Sequence, residues 1–426
     1  MREISTDVLV IGGGSAGCFA AISAARSGAS VLLVEKNGML GGTTTGGMVN
    51  FPGLFHAWGK QIIDGPCWES IERCVANGGA VLPPFPYKSE HHNKQQILVD
   101  VFTYACILDS MCIESGVHLL LHSMLVDVRD KHDGATATVA TKDGALRVCA
   151  KILIDSTGDA DAVRAAEYDV KTSDVTQPAT LINDITGYDF ETIDEAAFRQ
   201  YIDECYKSGR LTKEDFQGQD VYERLRKKRI HMHIPAPDAH TSEGKTQLEI
   251  NARRTLWRIL RCLAEFKGLE NIRVARCGYE CGVRETVRIV GEDEITAEQY
   301  LSGEIREDSV CHAFYPIDLH RSIDIKQVFV EEGRVPVVSY GSLVPKGSRH
   351  LLVAGRCISS DRDSNSALRV QATCMATGQV AGVAAAICAK KGCEAYAVSM
   401  STLKDGLRRI GAIIPGDVNF EKQSNG

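Results

Sequence analysis

No Cys-x-x-Cys pair occurs anywhere in the 426 residues, although the chain carries 15 cysteines. Iron–sulfur clusters and most structural zinc sites use thiolates at that close spacing, so both are disfavoured and no metal is expected. The tightest pair is Cys277 and Cys281, with three residues between them. Scattered thiols of this kind read as buried, reduced cysteines of a cytosolic protein. No secretory leader is expected either, because a polar opening runs directly into the first apolar strand. No apolar run reaches bilayer-spanning length, so a cytoplasmic chain without a membrane partner is expected. Excess positive charge is also missing. With 48 Lys and Arg against 55 Asp and Glu, the formal net charge is −7, which disfavours a nucleic-acid partner. The one dense basic run, residues 224–229, reads as a solvated helix face.

What is present is a globular composition, 44% hydrophobic and 24% charged, long enough for two domains or one large domain with an inserted cap. Its most informative stretch is near the start. An apolar strand at 8–11 runs into Gly12-x-Gly14-x-x-Gly17, a small-residue helix follows at 20–26, and a second apolar strand at 31–34 ends on Glu35. This is a βαβ dinucleotide-binding unit in its required context. Gly12 permits the tight turn, Gly14 lets the backbone approach a pyrophosphate, and Gly17 lets helix and strand pack closely. The helix N-terminus offers free N–H groups to the phosphates, and Glu35 sits where a carboxylate accepts the ribose hydroxyls.

Such a unit serves NAD and FAD alike. The rest of the chain separates them. The loop at 38–47 is rich in glycine and hydroxyls and suits an extended cofactor crossing the sheet edge. A helix is expected at 91–115 and short strands at 117–121, 125–128, 136–141 and 146–150. A further strand from 151 ends in a glycine turn at 156–161. Another buried strand from 350 ends at Gly355, followed by a small-residue helix over about 369–390. A cofactor domain assembled from three distant pieces suits a flavoprotein, whereas an NAD domain would be contiguous.

These pieces resemble the FAD-dependent oxidoreductases of the FAD_oxidored type, in the glutathione-reductase-like superfamily that also holds fumarate reductase flavoproteins and heterodisulfide reductase A. The resemblance covers nearly the whole chain. It is carried by the N-terminal glycine unit with Glu35, Leu40-Gly-Gly-Thr-Thr-Thr45, Ile154-Asp-Ser-Thr-Gly-Asp159 and the block from Gly282 to Gly291. Tyr340-Gly-Ser-Leu-Val-Pro-Lys346, the block from Leu352 to Ser359 and that from Ala367 to Gly382 complete it. It implies an α/β fold: a Rossmann-like FAD-binding domain with an inserted α+β substrate cap. The parts run 1–174 and 336–426 for FAD and 175–335 for the cap. FAD contacts are expected at Gly12, Gly14, Ser15, Ala16, Gly17, Glu35 and Lys36, then at Gly41, Gly42, Thr43 and Thr44. Leu125, Val126, Ser156, Thr157 and Gly158 are expected to continue them, and Gly355, Arg356, Arg369, Val370 and Ala372 to finish them.

Three further absences narrow the chemistry. No cysteine pair follows Glu35, which argues against disulfide reduction. Cys388 and Cys393 come too late for that role. No second glycine unit provides an NAD(P)H domain, so electrons come from the substrate or from a separate donor or acceptor. The missing Cys-x-x-Cys departs from the clustered heterodisulfide reductase pattern. Direct hydride exchange between flavin N5 and a small polar, anionic or sugar-like substrate is therefore expected. The competing readings are a thiazole-forming enzyme that consumes its dinucleotide, an electron-transfer subunit of a larger complex, and a nucleic-acid-modifying flavoprotein.

For catalysis, Arg284 and Arg288 share a face in a strand or a helix and could wall an anion, with an ion pair to Glu285 as the structural alternative. The family block centres on Arg284. His312 and His320 could move a proton near neutral pH, or be structural histidines. His231-x-His233 places two imidazoles on one strand face without an evident third ligand. Residues 194–207 and 246–266 read as helices, and Thr296 to Gln299 as a capping box.

Overall fold

The computed structural model describes residues 1–85, 95–321 and 323–420. Strand Arg2–Ile11 forms the middle of a seven-stranded mixed sheet. Val31–Val34 and then His118–Leu120 run parallel to it on one side, and Gly144–Asp155 on the other. The expected strands at 146–150 and from 151 are one continuous strand. Its first half alternates buried and exposed residues and pairs antiparallel with Gly134–Thr141, while its last four residues are all buried. Leu153, Ile154 and Asp155 pair in parallel with Leu351–Val353. The change from alternating to continuous burial makes one strand look like two in the sequence.

The helix expected from 91 begins later. Asp100 accepts the Thr103 N–H through its side chain, and the helix runs Val101–Glu114. Residues 91–94 lie outside the described residues.

Helix Ser15–Arg26 packs against helix Gln371–Lys391 with almost no side chain between them. A Cβ on Gly378 would lie 2.2 Å from the Ala16 carbonyl oxygen, and one on Gly382 equally close to that of Ala20. The later helix corrects one expectation, since its 21 residues contain an 18-residue stretch of mean hydropathy 1.5, long and apolar enough to cross a membrane. All of that apolar stretch is buried inside the fold.

A second hydrophobic cluster, from Ala179 to Val283, is separate from the main core. It joins a three-stranded antiparallel sheet (Arg229–Ile234, Ala179–Thr186, Arg273–Cys277) to helices Glu195–Lys207 and Ser242–Leu263. From Val287 to Val338 most of the buried apolar residues pack instead into the main core. Apolar packing thus passes from the second cluster to the main core between Val283 and Val287. The capping box at Thr296 and Gln299 is present and opens helix Ala297–Ser302.

Candidate active site

Between the two hydrophobic clusters lies a cavity of about 1110 Å³. Its wall is built from segments far apart in the chain: the first glycine turn, Glu35 to Asn37, Ser123 to Val126, Ser156 to Asp159, Glu280 to Arg284 and Ala354 to Arg356, with Arg369 to Gln371 completing it.

The first turn explains its own glycines. Gly12 has φ of +97°, and a Cβ there would lie 2.6 Å from the Ser156 carbonyl oxygen. On Gly17 it would lie 1.8 Å from the Gly12 carbonyl oxygen, so helix and strand close only around glycine. Gly14 differs: only the Gly42 Cα, at 3.8 Å, comes within reach of a Cβ. Protein packing leaves room for a side chain at Gly14, and the backbone there lines the cavity. Helix Ser15–Arg26 starts at Gly14, and helix Gln371–Lys391 at Val370, each without a side-chain cap. Their first N–H groups are thus available to oxygens of a ligand.

Glu35 is 5% exposed and organises the neighbouring backbone. One carboxylate oxygen accepts the Gly13 N–H at 2.7 Å and the other the Asn37 N–H at 2.8 Å. Burial raises its pKa, with those two N–H groups opposing. Lys36 is 3.6 Å from Glu280 across the cavity wall. Gly41 N–H donates to the Gly13 carbonyl at 2.8 Å, which fastens the loop with Gly42 and Thr43 beside the turn.

Buried Asp155 shapes the next segment, accepting from the Thr157 N–H and hydroxyl and from the N–H groups of Ala162 and Val163. Arg356 then ties three segments together. Its guanidinium donates to the Gly158 carbonyl at 2.9 Å, to Asp159 at 2.6 Å and to the Val283 carbonyl. Burial would raise Asp159, but the Arg356 and Lys245 charges outweigh it and lower its pKa.

A second charged group gathers around Asp318. His320 Nε2 lies 2.9 Å from Asp318 Oδ2, and Arg369 lies 3.8 Å from the same oxygen. Gln327 Nε2 donates to the other oxygen at 2.9 Å. Burial acts to raise Asp318, yet the His320 hydrogen bond and the nearby charges hold it at about 2. Burial pushes His320 down to about 4 against the pull of Asp318. Arg284 donates to the Pro178 carbonyl at 2.5 Å. Burial, followed by the like charge of Arg369, brings Arg284 down to about 9, still cationic at neutral pH. His231, on strand Arg229–Ile234, is pressed to about 3 by burial and by Arg224 and Arg229. Arg284, Arg369, His231, His320, Thr180 and Tyr315 all line the cavity. Four of their polar atoms have no hydrogen-bond partner among the described residues: His231 Nε2, His320 Nδ1, Arg369 Nε and Thr180 Oγ1.

Two sequence candidates lie elsewhere. Arg288 is 6% exposed and does not line the cavity; its guanidinium reaches Ser360, Ser173 and, at 3.5 Å, Glu285. Residues 283–287 form neither helix nor strand, so the four-residue spacing places the two arginines apart. The expected shared cationic wall of Arg284 and Arg288 is not formed; Arg369 takes that place beside Arg284. His312 is 1% exposed on strand Ser309–His312, with its ring 6.0 Å from that of Phe420. Gly17, Gly41, Thr44 and Ala372 stand behind the lining, whereas Ser15, Ala16, Lys36, Gly42, Thr43, Leu125, Val126, Ser156, Thr157, Gly158, Gly355 and Val370 are in it. Asp318, Tyr315 and Gln371 were missed. The i, i+2 spacing of Asp318 and His320 in a strand is the signal that pairs them.

The family model described as FAD dependent oxidoreductase matches residues 7–407. The chain belongs to the FAD-dependent oxidoreductase family. Its cofactor is FAD, and the uncapped helix N-termini, the Gly14 backbone and buried Glu35 suit a dinucleotide. A search of curated proteins gives no match. Among solved structures, this family member is similar to a geranylgeranyl bacteriochlorophyll reductase-like protein from Thermoplasma acidophilum, at 12% identity and a TM-score of 0.47. That alignment covers 96% of this chain and 83% of the other. It is similar to the anhydrotetracycline hydroxylase OxyS of Streptomyces rimosus at 12% identity and TM-score 0.46, over 96% and 66% of the two chains. For the p-nitrophenol 4-monooxygenase PnpA of Pseudomonas putida DLL-E4 the figures are 13%, 0.43, 95% and 84%. Among the described residues, no group of three His, Cys, Asp or Glu is arranged to hold a metal ion.

Proposed function

We propose that this oxidoreductase exchanges a hydride between FAD and a small organic anion, bound by its carboxylate or an equivalent group. The observation that carries the reading is the pairing of Arg284 and Arg369 on the cavity wall beside the Asp318–His320 couple. Two guanidiniums held in a low-dielectric site repel one another, and an anionic ligand relieves that repulsion. When bound, FAD supplies the two-electron carrier. Asp318 holds the Nε2–H of His320, which fixes the neutral tautomer and leaves Nδ1 with its lone pair. That nitrogen takes the substrate hydroxyl or amine proton as the adjacent carbon is oxidised, and returns it in the reverse direction. Glu35 serves the adenosine ribose, Lys36 and the Gly14 turn its phosphates, and the helix beginning at Gln371 the flavin ring. Residues 175–335 act as the substrate cap between FAD-binding parts 1–174 and 336–426; the separate packing from Ala179 to Val283 supports that role.

An anaerobic screen tests it, comparing hydroxy acids and amino acids with their neutral alcohols and amides. The flavin absorbance should bleach with anionic members only. Bleaching by neutral compounds that persists in Arg284→Ala would overturn the reading. NAD(P)H- and oxygen-dependent hydroxylation of an aromatic would overturn it as well.

A further inference from the structure

We infer that Cys205 and Cys262 form a redox-active dithiol that closes to a disulfide on reaction with a small peroxide. Cys205 lies near the end of helix Glu195–Lys207 and Cys262 near the end of helix Ser242–Leu263. Their sulfurs are 3.3 Å apart. Forming the bond requires an approach of only about 1.3 Å, to the usual length of about 2.05 Å. Arg210 points one guanidinium nitrogen at both, 3.2 Å from Cys205 Sγ and 3.3 Å from Cys262 Sγ. The same nitrogen donates to the Tyr201 hydroxyl at 2.6 Å, and Tyr201 donates to the Cys262 carbonyl at 2.5 Å. Burial and the facing Cys262 thiol push the Cys205 thiol up, and the Arg210 hydrogen bond opposes them, easing formation of the thiolate that must come first.

Access selects the oxidant. Both cysteines are buried, 1% and 6% exposed, whereas the Arg210 side chain above them is 42% exposed. Burial of both sulfurs favours an oxidant the size of hydrogen peroxide over a bulky disulfide. One thiolate attacks the peroxide, the O–O bond breaks, and a sulfenic acid and hydroxide result. The second thiol then displaces the sulfenic oxygen. Both sulfurs are oxidised and both peroxide oxygens leave as water, carrying the two thiol protons. The product ties together two helices of the cluster whose strands line the cavity.

The test treats the full-length FAD-loaded protein with equimolar hydrogen peroxide and maps its disulfides by mass spectrometry. A peptide joining Cys205 to Cys262, reversed by dithiothreitol, is expected as the first product, with a higher melting temperature than the reduced protein. Cys205→Ser and Cys262→Ser should each abolish that peptide and the rise in melting temperature. Arg210→Gln, which leaves both cysteines in place, should slow disulfide formation about tenfold. The inference fails if Cys205 and Cys262 stay reduced while other cysteines oxidise. It also fails if the rise in melting temperature survives in both serine variants, or if Arg210→Gln oxidises at the unaltered rate.

Discussion

Thr44 and Gln371, 327 positions apart, are joined by a hydrogen bond of 2.6 Å from the threonine hydroxyl to the glutamine side-chain oxygen. Gln371 also donates through Nε2 to the Val49 carbonyl at 2.7 Å. One side chain thereby anchors the start of the last long helix to the loop after the first βαβ unit.

Replacing Gln371 by Leu removes both bonds and leaves the Val49 carbonyl without its donor. A loss of about 1–3 kcal/mol is expected. Calorimetry should show the lower melting temperature, and purified protein should carry less flavin per chain. Unchanged stability with full flavin content would show that the two loops hold together without this contact.

Glu35→Gln should loosen FAD. The amide presents one acceptor and one NH2 where two N–H groups now point, so either Gly13 or Asn37 loses its partner. Retention should weaken by about 10- to 100-fold, in line with the loss of a charge-assisted pair. Flavin released on denaturation, compared with protein concentration, measures it.

Arg284→Met keeps much of the side-chain length without the charge. The expected result is a KM for the anionic substrate about 100-fold higher, with a smaller change in kcat, because the charge holds ground state and transition state alike. Loss confined to kcat would move Arg284 from binding into the chemical step.

His320→Gln and Asp318→Asn should each lower kcat, by about 10² to 10⁴ for the histidine. In the parent enzyme kcat/KM should fall as pH drops through about 4, where His320 takes up a proton. A profile flat down to pH 3 would exclude this imidazole as the base.

Acid should also unfold the protein in a defined window. His56, His312 and His320 are lowered to about 4 and His231 to about 3, chiefly by burial, from an ordinary 6.5. A base whose folded pKa is depressed contributes stability above its unfolded pKa, and that contribution is lost as pH falls toward the folded value. Each of these histidines should therefore cost about 1–3 kcal/mol between pH 6.5 and 4. His312→Gln should remove about one proton from the slope of stability against pH over that range. Denaturant titrations at successive pH values provide the check.

The cofactor side was readable because glycine spacing reports backbone geometry directly. Gly12 and Gly17 meet carbonyl oxygens where any Cβ would collide. Element limits were less legible: Asp100, a polar cap inside a helical-looking run, moves the helix start to Val101. The substrate side was the hardest. Arg284 and Arg288 lie in an irregular segment, where neither helical nor strand periodicity decides which face a residue takes. His312 and His320 look alike in sequence, yet one pairs into the core beside Val337–Ser339 and the other lines the cavity. Arg369, expected only as a cofactor residue, reaches Arg284 and Asp318 through tertiary packing that no local pattern encodes.

Strand Gly144–Asp155 has a consequence for biosynthesis. Its final residues await a neighbour, Leu351–Val353, that leaves the ribosome almost two hundred residues later. Until then the nascent protein presents Leu153 and Ile154 on an open sheet edge, a template for pairing with other chains. Slow translation or early termination before residue 351 thus favours aggregation.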